Sequence, residues 1–184
     1  MREASSILAE CTLACVRLEE ANALGEREFV ERLGGVFEHS PWVAQRAWRK
    51  KPFGSRDALH AAMMQAVAEA KKDEQLALVR AHPELAGAGA KEGALTAASS
   101  SEQARLGFLT LTREEFQHMA RLNQRYRERH GFPCIVALRL HATRESVLAE
   151  MSRRIESEPQ AELRAALEQI GHITRGRLEK IVDG

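Results

Sequence analysis

Apolar residues return every three to four positions along most of the chain, which is the spacing of one face of an α-helix. The pattern predicts helices with apolar faces at residues 29–37, 59–70, 116–126, 147–155 and 163–181. Each of these faces must be buried against another element, because a one-sided helix is not stable alone in water. With the shorter helices between them, we expect an all-α fold, a single compact domain of about eight helices.

Helix boundaries are marked by capping residues at the ends of several of these segments. Gly131 follows His130 as a stop signal for the helix that carries Phe116 and Tyr126. The predicted starts are Ser40-Pro41, Ser55 or Asp57, the capping box Thr112-Arg113-Glu114-Glu115, Thr143, and Pro159.

One stretch departs from the helical spacing. Residues 132–140 are apolar and read as a short, extended and buried segment. Pro133 removes one backbone donor, and the run is too short and isolated to build a sheet. Its backbone polar groups still need partners, and a bound polar ligand is one candidate for that role.

Charge and composition exclude several classes of partner. Lys and Arg number 27 against 26 for Asp and Glu, which gives no electrostatic reason to expect nucleic acid or an anionic membrane as the main partner. Aromatic residues make up only 5% of the chain, as suits helices better than sheets. No apolar run approaches the ~20 residues of a membrane span.

The cysteines indicate the cellular compartment, and the N-terminal stretch indicates where the domain begins. Three cysteines are an odd count without a disulfide framework, which favours a reducing compartment and hence the cytoplasm. Cys11 and Cys15 would share a helix face, but no His or Cys lies nearby in sequence, so we expect no metal site. We interpret residues 1–21 as a helical extension rather than a signal peptide, and residues 22–184 as the domain.

His82 is the first candidate for chemistry. It follows a helical stretch and precedes a Gly- and Ala-rich run, and Pro83 restricts its backbone toward an extended conformation. An imidazole held at such a boundary can exchange protons near neutral pH. Taken alone, however, His82-Pro83 is also the ordinary pattern of a loop that precedes a helix.

Two further segments carry small polar residues. The run from Gly87 to Gly93 lacks the Gly-Lys-Ser/Thr ending and the preceding strand of a phosphate-binding loop. In the second segment, Ser99 to Ser101 precede Glu102 and Gln103, which is typical of a helix start. The free N–H groups of a helix start also bind anions such as carboxylates.

Combined, the motifs resemble the OHCU decarboxylase family. They are Phe37-Glu38-x-Ser40-Pro41-Trp42, Arg80-Ala81-His82-Pro83-Glu84-Leu85, Ser99-x-x-Glu102-Gln103, and Leu122-Asn123-x-x-Tyr126-x-x-x-x-Gly131-Phe132-Pro133. OHCU is 2-oxo-4-hydroxy-4-carboxy-5-ureidoimidazoline, an intermediate of urate breakdown in purine metabolism. The resemblance, which covers residue 22 to the end, implies an all-helical and usually dimeric lyase without a cofactor that converts OHCU to (S)-allantoin.

By position, the resemblance implies that His82 is the catalytic acid/base and that Glu102 orients or polarises either His82 or the substrate. A carboxylate can hold an imidazole tautomer and favour its charged form. The implied lining of the pocket consists of Pro83, Ser99, Glu102, Gln103, and, largely through backbone groups, Cys134, Ile135, Val136, Ala137 and Leu138. Arg139 is a candidate partner for a substrate carboxylate, and equally a surface charge after an apolar run.

Two departures from the family pattern keep other functions open. His130 and Cys134 stand where the family usually has Phe, so the pocket wall could differ. We assign no nucleophilic role to Cys134, because the family chemistry needs no thiol. The alternatives are a non-catalytic binding or regulatory module with the same fold, and a related decarboxylase or hydrolase with a shifted substrate.

Overall fold

Most of the chain is helical, as the apolar spacing predicts. The computed structural model describes residues 15–87 and 95–184, and these ranges contain nine α-helices. They are α1 (Leu18–Ala23), α2 (Glu26–Leu33), α3 (Trp42–Trp48), α4 (Arg56–Ala68), α5 (Lys72–Arg80), α6 (Ala97–Arg105), α7 (Arg113–His130), α8 (Arg144–Ile155) and α9 (Pro159–Ile181), with 3-10 turns at Gly34–Val36 and Leu138–Leu140. The predicted all-α class is confirmed.

A two-residue parallel pairing joins the ends of the described chain. β1 (Val16–Arg17) pairs with β2 (Val182–Asp183), with Val16 opposite Val182. Both valines are buried, so the pairing closes the core at this end. It does not change the fold class, because it is the only sheet within the described ranges.

The long helix α9 is the central element of the core. It packs against α4, α5, α7 and the turn Leu138–Leu140. The largest buried apolar side chains come from all parts of the described chain: Phe29, Leu33, Phe37, Leu59, Met63, Leu78, Met119, Tyr126, Ile135, Met151 and Ile170. No helix among the described residues is long and apolar enough to cross a membrane.

Most of the predicted caps form. Ser55 accepts a hydrogen bond from the Ala58 N–H at 3.0 Å, Thr112 and Glu115 form the capping box, and Thr143 accepts from the Ser146 N–H. Gly131 ends α7 in the left-handed region at φ 76°, where glycine is favoured because it lacks a Cβ.

Two predicted helix starts were wrong by one to three residues. Pro41, not Ser40, is the N-cap of α3, and no side chain caps that helix. Thr96 caps α6, which begins at Ala97, so Ser99 lies inside the helix rather than before it. Ser99 is buried there because its hydroxyl group has a partner in the core.

The predicted extended segment is present and buried. Residues 132–138, called the floor segment below, run without strand pairing from the end of α7 into the turn Leu138–Leu140. Side chains serve as partners for its backbone: Arg154 donates to the Ile135 carbonyl at 2.6 Å, and the Ala137 N–H donates to Gln169 at 2.8 Å. Arg105 donates to the Leu138 carbonyl.

Some expectations fall wholly or partly outside the described residues. Cys11 lies there, as do residues 88–93 of the glycine-rich run. Cys15 is exposed and Cys134 is buried, and both are free thiols. Helix α1 extends across the proposed boundary at residue 21, and the division into an extension and a domain stays a prediction.

Candidate active site

His82 lies two residues beyond the end of α5 and is almost completely buried, with 9% of its surface exposed. The backbone N–H of His82 donates to the Val79 carbonyl at 3.3 Å, which continues the last turn of α5. The end of α5 is in turn tied to the end of α7, since Arg80 donates to the Gly131 carbonyl at 3.1 Å. These bonds place the imidazole beside the start of the floor segment.

The loop after His82 is held by two amide side chains from neighbouring helices. Gln103 of α6 donates to the Glu84 carbonyl at 3.2 Å and accepts from the Ala86 N–H at 2.9 Å. Asn123 of α7 donates to the Leu85 carbonyl at 2.9 Å. Both amides are buried, so they satisfy loop backbone groups that water does not reach.

A small cavity, of about 20 Å³, brings most of the predicted site residues together. Its walls are His82, Pro83, Leu85, Ser99, Glu102, Gln103, Cys134, Ile135, Val136, Leu138 and Ile173. The loop after α5, helix α6, the floor segment and α9 each supply part of this lining. Among the described residues, the backbone N–H groups of Cys134, Ile135 and Val136 have no hydrogen-bond partner, and all three residues line the cavity.

Two predicted pocket residues lie elsewhere. The N–H of Ala137 is bonded to Gln169, and Ala137 does not line the cavity. Arg139 pairs with Glu179 at 2.9 Å and lines a larger groove of about 350 Å³ beyond Glu102, Leu138 and Ile173. A role of these two residues in substrate binding stays a prediction.

Arg177 of α9 is a residue beside the cavity that the sequence interpretation missed, as it missed Leu85 and Ile173 in the lining. Its side chain is 5% exposed and forms a two-point pair with Glu102: Nε donates to Oε1 at 2.9 Å and Nη2 to Oε2 at 2.8 Å. A signal for it existed, because Arg177 follows Ile170 and Ile173 at helical spacing and so lies on the apolar face of α9. A charge at such a position needs buried partners.

The pairing with Arg177 decides which way Glu102 is directed. Both carboxylate oxygens of Glu102 face the guanidinium, and no hydrogen bond joins Glu102 to His82 within the described ranges. Two roles were predicted for Glu102. No direct contact supports the first, orienting His82, whereas the second, polarising a substrate, stays a prediction.

Glu38 is a second carboxylate bound to Arg177. It is buried and accepts hydrogen bonds from the hydroxyl groups of Thr96 at 2.5 Å and Ser99 at 2.8 and 2.9 Å. Arg177 donates to it through Nη1 and Nη2, both at 3.2 Å. Burial opposes ionisation of Glu38, but the Thr96 bond, the Arg177 charge and the Ser99 bond outweigh it and lower its pKa.

His82 is a neutral imidazole at physiological pH. Burial and the nearby Arg177 charge lower the pKa of His82 to about 4, and the Glu38 carboxylate only partly opposes them. A neutral imidazole has one ring nitrogen that accepts a proton and one that donates. It can therefore begin a reaction as a base.

Behind the floor segment lies a buried polar cluster that does not line the cavity. Arg154 donates to Glu162 and to the Ile135 carbonyl, and the Tyr126 hydroxyl donates to Glu162. His130 lies beside this cluster, with its ring 4.6 Å from that of Tyr126. The departure from the family at His130 is thus outside the cavity wall.

Cys134, the other departure, does line the cavity. Burial raises the pKa of the Cys134 thiol to about 12, so the sulfur stays protonated at neutral pH. A protonated thiol is a weak nucleophile, which agrees with assigning it only a place in the wall. No group of three or more His, Cys, Asp or Glu within residues 15–87 and 95–184 is arranged to hold a metal ion.

The cavity therefore combines a neutral imidazole, a carboxylate and backbone amide groups, and the Glu102 and Ser99 side chains of its wall are held by Arg177 and Glu38 behind them. This set suits a small polar molecule that undergoes proton transfer.

Comparison with known sequences gives matches along nearly the whole chain. A sequence model of the OHCU decarboxylase family matches residues 22–179. The 2-oxo-4-hydroxy-4-carboxy-5-ureidoimidazoline decarboxylase of Haloferax volcanii is 39% identical over 161 residues, which are 88% of this chain and 93% of that protein. The protein of the same name from Amia calva is 36% identical over 90% of this chain and 94% of its own length.

Solved structures agree with the sequence matches. The structure of an (S)-allantoin synthase superposes on 91% of this chain with a TM-score of 0.73 and 31% identity, and the chain spans 55% of that protein. A structure of OHCU decarboxylase in the presence of (S)-allantoin gives a TM-score of 0.60 over 76% of the chain, and at 24% identity this likeness concerns the fold. With a family match over residues 22–179 and relatives of similar length above 30% identity, the chain belongs to the OHCU decarboxylase family.

Proposed function

We propose that this protein is a carboxy-lyase that decarboxylates OHCU to (S)-allantoin in urate degradation, without a cofactor. The observation that carries the proposal is the convergence of His82 and Glu102 on one cavity, with Glu102 held by Arg177, in a chain of this family. His82 and Glu102 come from segments separated by the glycine-rich run, so only the fold brings them together.

The charged groups and the amides would bind different parts of the substrate. OHCU carries a carboxylate together with ring and ureido carbonyl groups. Arg177, which holds the Glu102 carboxylate of the cavity wall, is a fixed cation behind that wall, and the Ile135 and Val136 N–H groups are donors for carbonyl oxygens. The cavity and the adjoining groove share Glu102, Leu138 and Ile173 in their walls, so the groove is the neighbouring space into which part of the substrate would extend.

The reaction needs proton transfers that a neutral imidazole can perform. Loss of carbon dioxide leaves an electron pair that passes into the ring, and a ring nitrogen takes up one proton. The 4-hydroxyl group then becomes the carbonyl of the product and releases a proton, while the neighbouring carbon gains one. His82 would take up the hydroxyl proton and return a proton to that carbon from one side, which gives the (S) product.

The direct test adds the purified protein to OHCU generated from urate by urate oxidase and hydroxyisourate hydrolase. The absorbance of OHCU is expected to decay faster than without the protein, the allantoin is expected to be optically active, and prior treatment with EDTA is expected to change neither result. Decay at the spontaneous rate with racemic product would favour the non-catalytic binding module instead. Competition by near analogues would show whether Cys134 shifts the substrate range.

Glu102→Gln is expected to lower kcat/KM for OHCU by about 10- to 100-fold, because the neutral amide no longer pairs with Arg177 and no longer polarises the substrate. Initial rates measure the effect, and far-UV circular dichroism checks that helicity is kept. Glu31→Gln is a matched control, since Glu31 is exposed and pairs with Arg27 on the surface of α2. Equal losses in the two variants would contradict a role of Glu102 in the cavity.

The rate is expected to depend little on pH between about 5.5 and 8. Because the pKa of His82 is lowered to about 4, the reactive neutral form predominates throughout this range and is lost only as the pH falls toward 4. The measurement is kcat/KM against pH after subtraction of the spontaneous decay at each pH. The fall of kcat/KM at low pH is called the acid limb below. An acid limb centred near pH 6.5, the ordinary pKa of His, would contradict this assignment.

We also infer a homodimer in the cytoplasm that binds no nucleic acid or membrane. The nearly balanced charge and the usual dimeric state of the family support this inference. Sedimentation of the purified protein tests the oligomeric state.

A further inference from the structure

Glu38 lies in the turn that joins the 3-10 turn Gly34–Val36 to α3. The Ser40 N–H closes this turn on the Phe37 carbonyl at 2.9 Å, and His39 between them has φ 55°, in the left-handed region. This region is unfavourable for a residue other than glycine, and such strain persists only where the surroundings fix it. The carboxylate of Glu38 is directed into the protein and is buried, although it is followed by an exposed residue.

Every contact of the Glu38 carboxylate is with the site or its support. Ser99, which lines the cavity, donates to both oxygens, and Arg177 donates to Oε2 through two nitrogens. Thr96 donates to Oε1, and its hydroxyl oxygen also caps α6. Glu38 thus joins α6 to α9 on the side of the cavity that holds Ser99.

The charges around His82 come from three places in the fold. Arg177 lies on α9, and Glu38 and His39 lie in the turn before α3. Glu102 of α6 lines the same cavity as His82. Arg177 and His39 act against protonation of His82, and among the charges that act on His82 only the carboxylate of Glu38 favours it. Both carboxylates pair with Arg177, but Glu38 also binds the hydroxyl of Ser99 in the cavity wall, and of the two only Glu38 acts on the charge of His82.

We propose that Glu38 is a positioning residue of the decarboxylase site. It fixes the hydroxyl of Ser99 in the cavity wall and the guanidinium of Arg177 beside Glu102, and it counters the guanidinium charge at His82. Glu102 is thereby left to act on the substrate. This inference rests on the proposed function, and it assigns to Glu38 the effect on His82 that the sequence suggested for Glu102.

The test compares the pH dependence of kcat/KM in the wild-type protein and Glu38→Gln. Loss of the negative charge is expected to move the acid limb down by about half a pH unit or more, because Arg177 then acts on His82 unopposed. The rate at pH 7 is expected to fall about 10- to 100-fold, since Arg177 and Ser99 lose a fixed acceptor. A role limited to stability would lower the melting temperature and leave the limb in place.

Two further variants separate charge from structure. Glu38→Asp keeps the charge and is expected to keep the limb, even if the shorter side chain lowers the rate. Thr143→Val removes the cap of α8, away from Glu38 and His82, and is expected to lower the melting temperature without moving the limb. A limb that moves in Glu38→Asp or Thr143→Val would overturn the proposal, as would Glu38→Gln with an unmoved limb and a rate within about threefold of wild type.

The outcome can be told apart from a failure of the proposed function. If the wild-type protein does not decarboxylate OHCU, NMR can still follow the titration of the His82 ring without substrate. The His82 signal is assigned by its absence in His82→Asn. The titration midpoints of wild type and Glu38→Gln are then compared. A lower titration midpoint in Glu38→Gln supports the influence of Glu38 on His82, and identical midpoints overturn it.

Discussion

His82→Asn is expected to reduce the rate of OHCU decarboxylation by about 10²- to 10⁴-fold, which is the usual contribution of a general acid or base. Asparagine keeps a polar side chain of similar reach but cannot exchange a proton at neutral pH. The loop itself is held by Gln103 and Asn123 rather than by the imidazole, so the fold is expected to survive. Initial rates, together with the optical activity of the allantoin formed, measure the loss.

The matched control is His118→Asn, the same substitution at an exposed position of α7. This variant is expected to show wild-type rates, and both variants are expected to give far-UV circular dichroism spectra like that of the wild type. A folded His82→Asn variant with full activity and (S)-allantoin as product would remove His82 from the mechanism.

Local patterns in the sequence were sufficient to predict the helices and most of their ends. The capping box at Thr112, the cap at Thr143 and the stop at Gly131 depend on residues a few positions apart, so their chemistry is visible in the chain alone. The start of α6 was misplaced because several hydroxyl residues stand in a row there. Thr96 is the cap, while the hydroxyl of Ser99 bonds to Glu38, which is distant in sequence.

The site was predictable only where family motifs carry it. His82, Glu102 and most of the floor segment do line one cavity, although their roles stay predictions. What the sequence could not specify is how the charges pair, because Arg177 contacts carboxylates 75 and 139 positions away. For this reason, the orienting effect on His82 was assigned to Glu102, whereas the contacts of Arg177 and Ser99 favour Glu38.

Arg154→Met is expected to destabilise the protein by about 3–5 kcal/mol, the usual cost of breaking a buried ion pair from one side. Arg154 is 1% exposed and pairs with Glu162, which is equally buried. Methionine fills a similar apolar volume but leaves the Glu162 carboxylate with only the Tyr126 hydroxyl and removes the donor to the Ile135 carbonyl. Urea unfolding followed by circular dichroism measures the free energy of unfolding.

The neighbouring residue offers a control for this prediction. Arg153→Met makes the same chemical change at a side chain that is 68% exposed and pairs with Glu150 on the surface of α8. It is expected to change the free energy of unfolding by no more than about 1 kcal/mol, because exposed pairs contribute little.

Since the Ile135 carbonyl belongs to the cavity floor, Arg154→Met should also lower kcat/KM under conditions where the variant is folded. Similar free energies of unfolding for the two variants would mean that the Arg154–Glu162 pair does not hold the floor in place.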